Sequence, residues 1–438
     1  MPEANGPDQE SREKRQFMRE QIVKPPLTRK QIAKRILACF LAAVLCGAAA
    51  GVTFGVARPL AERYLVPVTT EESAPITIPK DDPPETTTQI PATTPEETEE
   101  TEPIEDILKS AMEGYEYKTE DLTSLYSALR MVSQEADKGI VVVHSVRQDV
   151  DWFDNPVETT GLYAGAVIAS TPRELLIMTP DGAVEHADSI RVTFSDGTEA
   201  SGTIKQTDQV SQMAVVSVDT SQLEEETKER VTALKLGNSY AVKQGDIVIA
   251  LGSPAGMVHS VNYGFISHVV RNVQVEDGIT RLLYSDVKGN AAKGTFLINT
   301  YGEMIGWITD QYRNEGSEDM TVVMSISDYK AVLEKMTNGI PVPYVGIKGQ
   351  EVTSAMTENG LPAGVYVTDS VANGPAYNAG IQNGDIITKV GEKEIVTIKD
   401  YQNAVEALKE GEVVTIIIQR NGIEEYKELE YPVTVGAR

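Results

Sequence analysis

Cysteine is nearly absent: in 438 residues only Cys39 and Cys46 occur, and both lie in one uncharged stretch. That excludes a disulfide framework and the Cys/His spacing of a structural zinc site, so stability has to come from packing. Positive charge is also short, with 39 Lys and Arg against 65 Asp and Glu. Phosphate recognition requires clustered basic side chains that release counterions, so nucleic acid is not an expected partner. No metal or cofactor is expected. The length accommodates two or three compact domains with connecting segments rather than one core.

What the chain does have begins with a polar leader. Residues 1–35 carry nine basic side chains, among them Arg29, Lys30, Lys34 and Arg35. From Ile36 to Ala57 there is no charged residue, and a helix of that length reaches about 30 Å, the thickness of a bilayer's hydrocarbon core. Residues 36–57 are therefore expected to form one transmembrane helix, with residues 1–35 as a cytoplasmic tail and the remainder outside the cytoplasm, because positive charge precedes the span and acidic sequence follows it. A cleaved secretory leader is the alternative, against which the long charged leader and the length of the apolar run both count. Gly47, Gly51 and Gly55 recur on one face and permit close helix–helix contact; ordinary small residues in an Ala-rich span are an equally good reading.

Residues 58–117 are expected to be a linker. The run PPETTTQIPATTPEETEETEPIED is dense in Pro, Thr and Glu and offers too little apolar surface to offset the entropy of folding. A helix follows, with Leu122, Leu125, Leu129 and Met131 as its apolar positions. From there to about residue 338 the pattern is one of short β segments, including GAVIAST, ELLIMT, MAVVSV, DIVIALGS and TFLIN, broken by turns such as Ser195-Asp196-Gly197-Thr198. Many short strands at even spacing favour a barrel or sandwich. A second helix, with Tyr329, Val332, Leu333 and Met336 at helical spacing, closes this unit before the Gly339-Ile340-Pro341 break. Residues 339–438 then read as a separate small α+β domain.

The segments GAVIAS, ELLIMT, ADSIRVTFSDGTEASGTIKQTD and MAVVSV, followed by LGSPAGMVHSVNYGFIS and SDVKGNAAKGTFLINTYGEMIGWIT, resemble in order and spacing the two barrels of HtrA (Deg) family serine proteases. PYVGI, GVYVTDSVANGPAYNAGIQNGDIITKVGEKEI and DYQNAVEAL resemble the PDZ domain of the same family. The resemblance implies a mainly β chain: a chymotrypsin-like double β-barrel over residues 118–338 with its active site in the cleft between the barrels, then a PDZ domain over 339–438. It also implies self-association, commonly as a trimer.

Matched residue by residue, the family's catalytic positions hold different side chains here. The histidine that follows ILTNxH in active members corresponds to Gly182 in LIMTPDG. The aspartate of TDxxxDLAV corresponds to Gln212 in Thr207-Asp208-Gln209-Val210-Ser211-Gln212-Met213-Ala214-Val215. The serine of GNSGGP corresponds to Lys293 when Phe296-Leu297-Ile298-Asn299 is set against the family's PLVN, although the loop is one residue short. From Val287 through Asn299 there is no Ser or Cys, and Thr295 is the only hydroxyl. Glycine cannot take a proton, an amide cannot balance an imidazolium, and a lysine nucleophile needs a lowered pKa and a partner that the neighbouring sequence lacks. His186 lies four residues past its slot, and His144, His259 and His268 lie elsewhere in the sequence. The expectation is a pseudoprotease.

In the last domain, Tyr344-Val345-Gly346-Ile347 matches the family's carboxylate-binding loop, whose successive N–H groups cradle a peptide's terminal carboxylate. Ala404, Val405 and Leu408 are expected on the helix that forms the opposite wall; packing of the domain's own core is the alternative role. The expected partners are peptide or protein C-termini with hydrophobic ends. The competing expectations are an active serine endopeptidase with a displaced triad, an activator of an intact paralogue, and a barrel that only carries the PDZ domain.

Overall fold

The computed structural model describes residues 75–82, 118–150, 156–313, 319–422 and 425–438. The expected cytoplasmic tail and the expected transmembrane span at 36–57 lie outside them. Among the described residues no helix is long and apolar enough to cross a membrane.

Twelve strands form two closed antiparallel barrels. The first runs β1 (Ile140–Val150), β2 (Pro156–Ser170), β3 (Glu174–Pro180), β4 (Ser189–Thr193), β5 (Glu199–Asp208) and β6 (Met213–Asp219), closing in the order β1-β2-β3-β6-β5-β4. The second runs β7 (Ile247–Gly252), β8 (Asn262–Val275), β9 (Gly278–Ser285), β10 (Thr295–Ile298), β11 (Met304–Thr309) and β12 (Thr321–Ser325), closing as β10-β11-β12-β9-β8-β7.

The inner strands read as unbroken apolar runs because both of their faces are buried. In β3, Leu175 and Ile177 point into the first barrel, while Leu176 and Met178 point into the layer between the barrels. Val248 and Ala250 of β7 likewise fill the second barrel, and Ile249 and Leu251 join the shared layer. Each fully buried Leu, Ile or Met contributes about 1.5–3 kcal/mol, so this shared layer locks the barrels into one body and fixes the cleft between them.

Helix α1 (Thr119–Asp137) precedes β1, as the sequence predicts, but its apolar face is not the expected one. Leu129, Ser133 and Ala136 are buried, whereas Leu122, Leu125 and Met131 are about half exposed or more. Only the C-terminal half of α1 reaches the barrels, which leaves its first turns projecting. Helix α2 (Ile326–Thr337) follows β12 and buries Tyr329, Val332, Leu333 and Met336 against the shared layer.

Within the stretch read as linker, residues 75–82 pack onto α2. Ile78 is buried, the Ile76 N–H and C=O pair with the Asn338 side chain at 2.9 and 2.8 Å, and Asp81 meets the buried Lys330 ammonium at 2.8 Å. Composition hid this because two isoleucines and one aspartate suffice to anchor an otherwise polar segment.

After α2 the chain enters a smaller domain. Its sheet orders β14 (Ile347–Glu351), β15 (Val365–Ser370), β16 (Ile386–Val390), β18 (Val413–Asn421) and β19 (Tyr426–Thr434), with β17 (Lys393–Glu394) beside β16; β13 (Pro343–Tyr344) pairs with β20 (Gly436–Ala437). Helix α3 (Ile398–Glu406), begun by a Thr397/Asp400 capping box, buries Tyr401, Ala404 and Val405 over this sheet.

Candidate functional site

Among the described residues, two places carry site chemistry: the cleft between the barrels and the glycine loop that opens the small domain. The cleft encloses about 260 Å³ and is lined by Tyr163, Asp181, Gly182, Gln212, Ala292 and Trp307, among others. None of the four histidines lines it. His144 bonds Thr193 across strands at 2.8 Å, His259 meets Asp137 of α1 at 3.0 Å, His268 packs near Tyr284, and His186 is exposed beside Glu185.

Of the three sequence-predicted positions, Gly182 and Gln212 line this cleft and Lys293 stands beside it, over the ring of the cleft residue Tyr163. Gly182 sits in the tight turn after β3, its N–H donating to Asp181 Oδ1 at 2.7 Å. A Cβ there would meet only the Tyr163 ring, at 4.0 Å, so space does not forbid a side chain. Gln212 adopts a left-handed conformation (φ 56), accepts from the Asp181 N–H through its carbonyl, and takes the Thr309 hydroxyl on Oε1 at 3.1 Å. Burial pushes the Asp181 carboxyl above the usual carboxylate range, and Glu185 and Asp208 add to that while the Gly182 N–H opposes it.

Lys293 holds the second barrel to the first. Its C=O accepts from the Ala164 N–H at 2.8 Å, and its ammonium lies over the Tyr163 ring, 4.4 Å from the centroid. Its own N–H donates to Asn290 Oδ1 at 3.0 Å, so a side chain of the same loop satisfies this amide. Gly294 follows at φ +83, where a Cβ would strike the Ala164 oxygen at 2.6 Å. Thr295, the only hydroxyl in the loop, is 1% exposed and exchanges hydrogen bonds with the Asn290 backbone at 3.0 Å in each direction. The cleft thus holds two carboxyl groups, Asp181 and Asp310, and the Gln212 amide, with Lys293 beside it over Tyr163 and no imidazole in its lining.

The glycine loop has the opposite character. Gly346 adopts φ +83, which turns the N–H groups of Val345, Gly346 and Ile347 toward one point. That point is the carboxylate of Asp277, at the tip of the β8–β9 hairpin. Val345 N–H donates to Oδ2 at 2.7 Å, Ile347 N–H to Oδ1 at 3.0 Å, and Gly346 N–H to both at 3.0 and 3.1 Å. The Tyr401 hydroxyl of α3 donates to Oδ1 at 2.9 Å. Asp277 is 6% exposed; burial pushes its carboxyl upward, against the three backbone N–H groups and the Arg438 charge, which favour ionisation.

Of the residues expected to line a peptide groove, Val345, Ile347, Ala404 and Val405 are buried, Tyr344 is half-buried with its hydroxyl donating to Glu276 at 2.8 Å, and Leu408 packs against the domain's core. Sequence reasoning missed Asp277. Its signal was Asp277-Gly278 between two apolar runs, a hairpin turn by chemistry, but nothing local says what the tip of that hairpin touches.

Residues 163–306 match the trypsin-like peptidase domain family and residues 366–420 the PDZ domain family. A probable periplasmic serine endoprotease DegP-like of Pseudomonas fulva (strain 12-X) is 31% identical over 265 residues, 58% of this chain and 52% of that protein. The corresponding protein of Pseudomonas savastanoi pv. phaseolicola is 30% identical over 269 residues, 59% and 53% of the two chains. A putative serine protease HhoB of Synechocystis sp. is 30% identical over 252 residues, 54% of this chain and 58% of that one. This chain therefore spans about half the length of the curated relatives it matches. Among solved structures, the HtrA-type protease AlgW with a decapeptide superposes with a TM-score of 0.50 over 71% of this chain and 98% of that chain at 21% identity, a likeness of fold. The double barrel, the interbarrel cleft and the appended α+β domain agree with these matches: the chain joins a trypsin-like peptidase domain to a PDZ domain and is similar to HtrA-type proteases.

Proposed function

We propose that this protein is a membrane-anchored HtrA-like pseudoprotease, an extracytoplasmic sensor or scaffold that recognises peptide or protein C-termini through its PDZ domain. The observation that carries the reading is the amide of Lys293. In a peptidase of this class the nucleophile's own N–H belongs to the oxyanion site; here Asn290 Oδ1 already takes it at 3.0 Å. With Gly182, Gln212 and Lys293 at the base, orienter and nucleophile positions, the cleft lacks the imidazole-paired hydroxyl by which this class of peptidase attacks a carbonyl. Changing all three together leaves no partial triad to sustain residual turnover. Anchoring rests on the uncharged run at 36–57, the compartment on that run's flanking charge and on the periplasmic naming of the relatives, and trimer formation on the family resemblance.

Those relatives carry the names of serine proteases, which favours a second reading: an active endopeptidase, or an activator of an intact paralogue. The two separate on one experiment. Purified protein from a host lacking its own HtrA proteases is incubated with unfolded casein and, in parallel, with a fluorophosphonate probe. No cleavage and no labelled serine are expected; turnover with a labelled serine would sink the pseudoprotease reading, and turnover only on adding the paralogue would assign the activator role. Replacing Gly346 by Val tests the peptide site, because a side chain at that φ is strained and crowds the Tyr344 ring at 3.1 Å. C-terminal peptide binding should weaken about ten-fold or more.

A further inference from the structure

We propose that the β8–β9 hairpin of the second barrel is a tethered pseudo-ligand of the PDZ domain: Asp277 occupies the carboxylate loop, and a free peptide C-terminus enters only by displacing it. The proposal rests on the preceding reading of Tyr344–Ile347 as a peptide-carboxylate site.

Four features of the hairpin match what a bound peptide end must supply. Its carboxylate collects all three loop N–H groups and the Tyr401 hydroxyl, which takes two oxygens; an Asn or Gly would close the same turn but could not accept from four donors. The backbone continues the pairing that an added strand would make, with Asp277 N–H donating to Ile347 C=O at 2.7 Å. Two residues on, Ile279 packs against the PDZ core, offering an apolar side chain beside the carboxylate. Between them Gly278 lies under α3, where a Cβ would meet the Gln402 side chain at 2.9 Å. The tip of the hairpin is thus seated between the loop and the helix, the two walls of the expected groove.

Flanking contacts hold it there. Thr368 of β15 donates to Gln274 at 2.9 Å, Tyr344 to Glu276 at 2.8 Å, and Arg438 to the Glu276 carbonyl at 3.2 Å. Because hairpin and loop belong to one chain, the internal carboxylate competes at an effective concentration on the order of millimolar. A peptide in free solution faces that competitor at every encounter.

The test uses the full chain in detergent micelles, with fluorescein-labelled decapeptides of random sequence ending in Val, as free acids and as C-terminal amides. Asp277→Ala and Asp277→Asn are compared with the wild type by anisotropy. The free-acid pool should bind both variants about ten-fold or more tightly than the wild type, with the amidated pool bound by none. Equal affinity of all three proteins for the free acids would overturn the tethered-ligand proposal while upholding the peptide site. Binding by none would sink the peptide site, and hydrogen exchange then decides the internal contact by itself. The Val345, Gly346 and Ile347 amides should exchange about ten-fold or more faster in Asp277→Asn than in the wild type, with β18 amides unchanged as the check on folding. Unchanged exchange at the loop overturns the proposal whatever the peptides do.

Discussion

The interbarrel cleft and the PDZ loop are made from the same device and do different things with it. Each contains a glycine at φ +83, Gly294 in one and Gly346 in the other, and each turns neighbouring backbone N–H groups out of the regular ladder. In the cleft, Asn290 of the same loop takes the Lys293 N–H and Ala291 C=O takes the Gly294 N–H. In the PDZ loop no local side chain intervenes, so three N–H groups aim at one carboxylate delivered from another domain. The lesson is that an amide nest is an anion site only if its own loop leaves the donors free.

The largest effect on this comparison is expected at the seam that presses the two domains together. Arg438 Nε lies 3.0 Å from Asp208 Oδ1, with their side chains 10% and 0% exposed. Neither atom has a hydrogen-bond partner of good geometry, so charge rather than a directional bond holds the pair. Arg438→Ala leaves the Asp208 carboxylate buried without its counter-ion and should cost about 3–5 kcal/mol by denaturant unfolding, with faster exchange at Val345–Ile347. Wild-type stability in that variant would mean that the hairpin is held by the Asp277 contacts alone.

A smaller effect is expected in the cleft. Lys293→Ala removes the ammonium from the Tyr163 ring and should cost about 0.5–1 kcal/mol, with peptide affinity unchanged. A change in peptide affinity would instead couple cleft and loop, and would break the contrast between donors taken within their own loop and donors turned to another domain.

The smallest effect concerns Asp181. Its carboxyl is raised chiefly by burial, so the folded state favours the neutral acid. The contribution of Asp181 to stability should then fall as pH rises from below the ordinary carboxylate pKa of about 3.9 through the raised value. Asp181→Asn keeps an acceptor for the Gly182 N–H and removes this dependence. The two proteins should melt alike near pH 3, with the variant gaining about 1–2 °C at neutral pH. A variant that melts lower at neutral pH would mean that the ionised carboxylate stabilises the cleft.

Much of the fold was legible because its signals are local. ELLIMT and DIVIALGS announce strands buried on both faces, and β3 and β7 divide their alternate side chains between barrel interior and shared layer as such runs require. Motif order singles out Gly182, Gln212 and Lys293; Gly182 and Gln212 line one cleft, and Lys293 lies over the Tyr163 ring beside it. The apolar face of α1 was misread because Leu122 and Leu125 lie beyond the end of the surface that Leu129 and Ala136 cover, while Met131, two residues from Leu129, falls on the opposite side of the helix. The packing of residues 75–82 escaped notice because a composition average cannot see one buried ion pair.

Sequence alone determined the two-barrel and PDZ order and the glycine that bends the loop at 344–347, since each depends on residue type and near neighbours. Tertiary structure decided what those groups bind. Asp277 and Gly346 are 69 residues apart, and a hydrogen bond at that separation is set by how two domains dock. A backbone N–H is the same donor wherever it occurs: Asn290, three residues away, takes that of Lys293, whereas only the assembled fold brings the Asp277 carboxylate to that of Gly346.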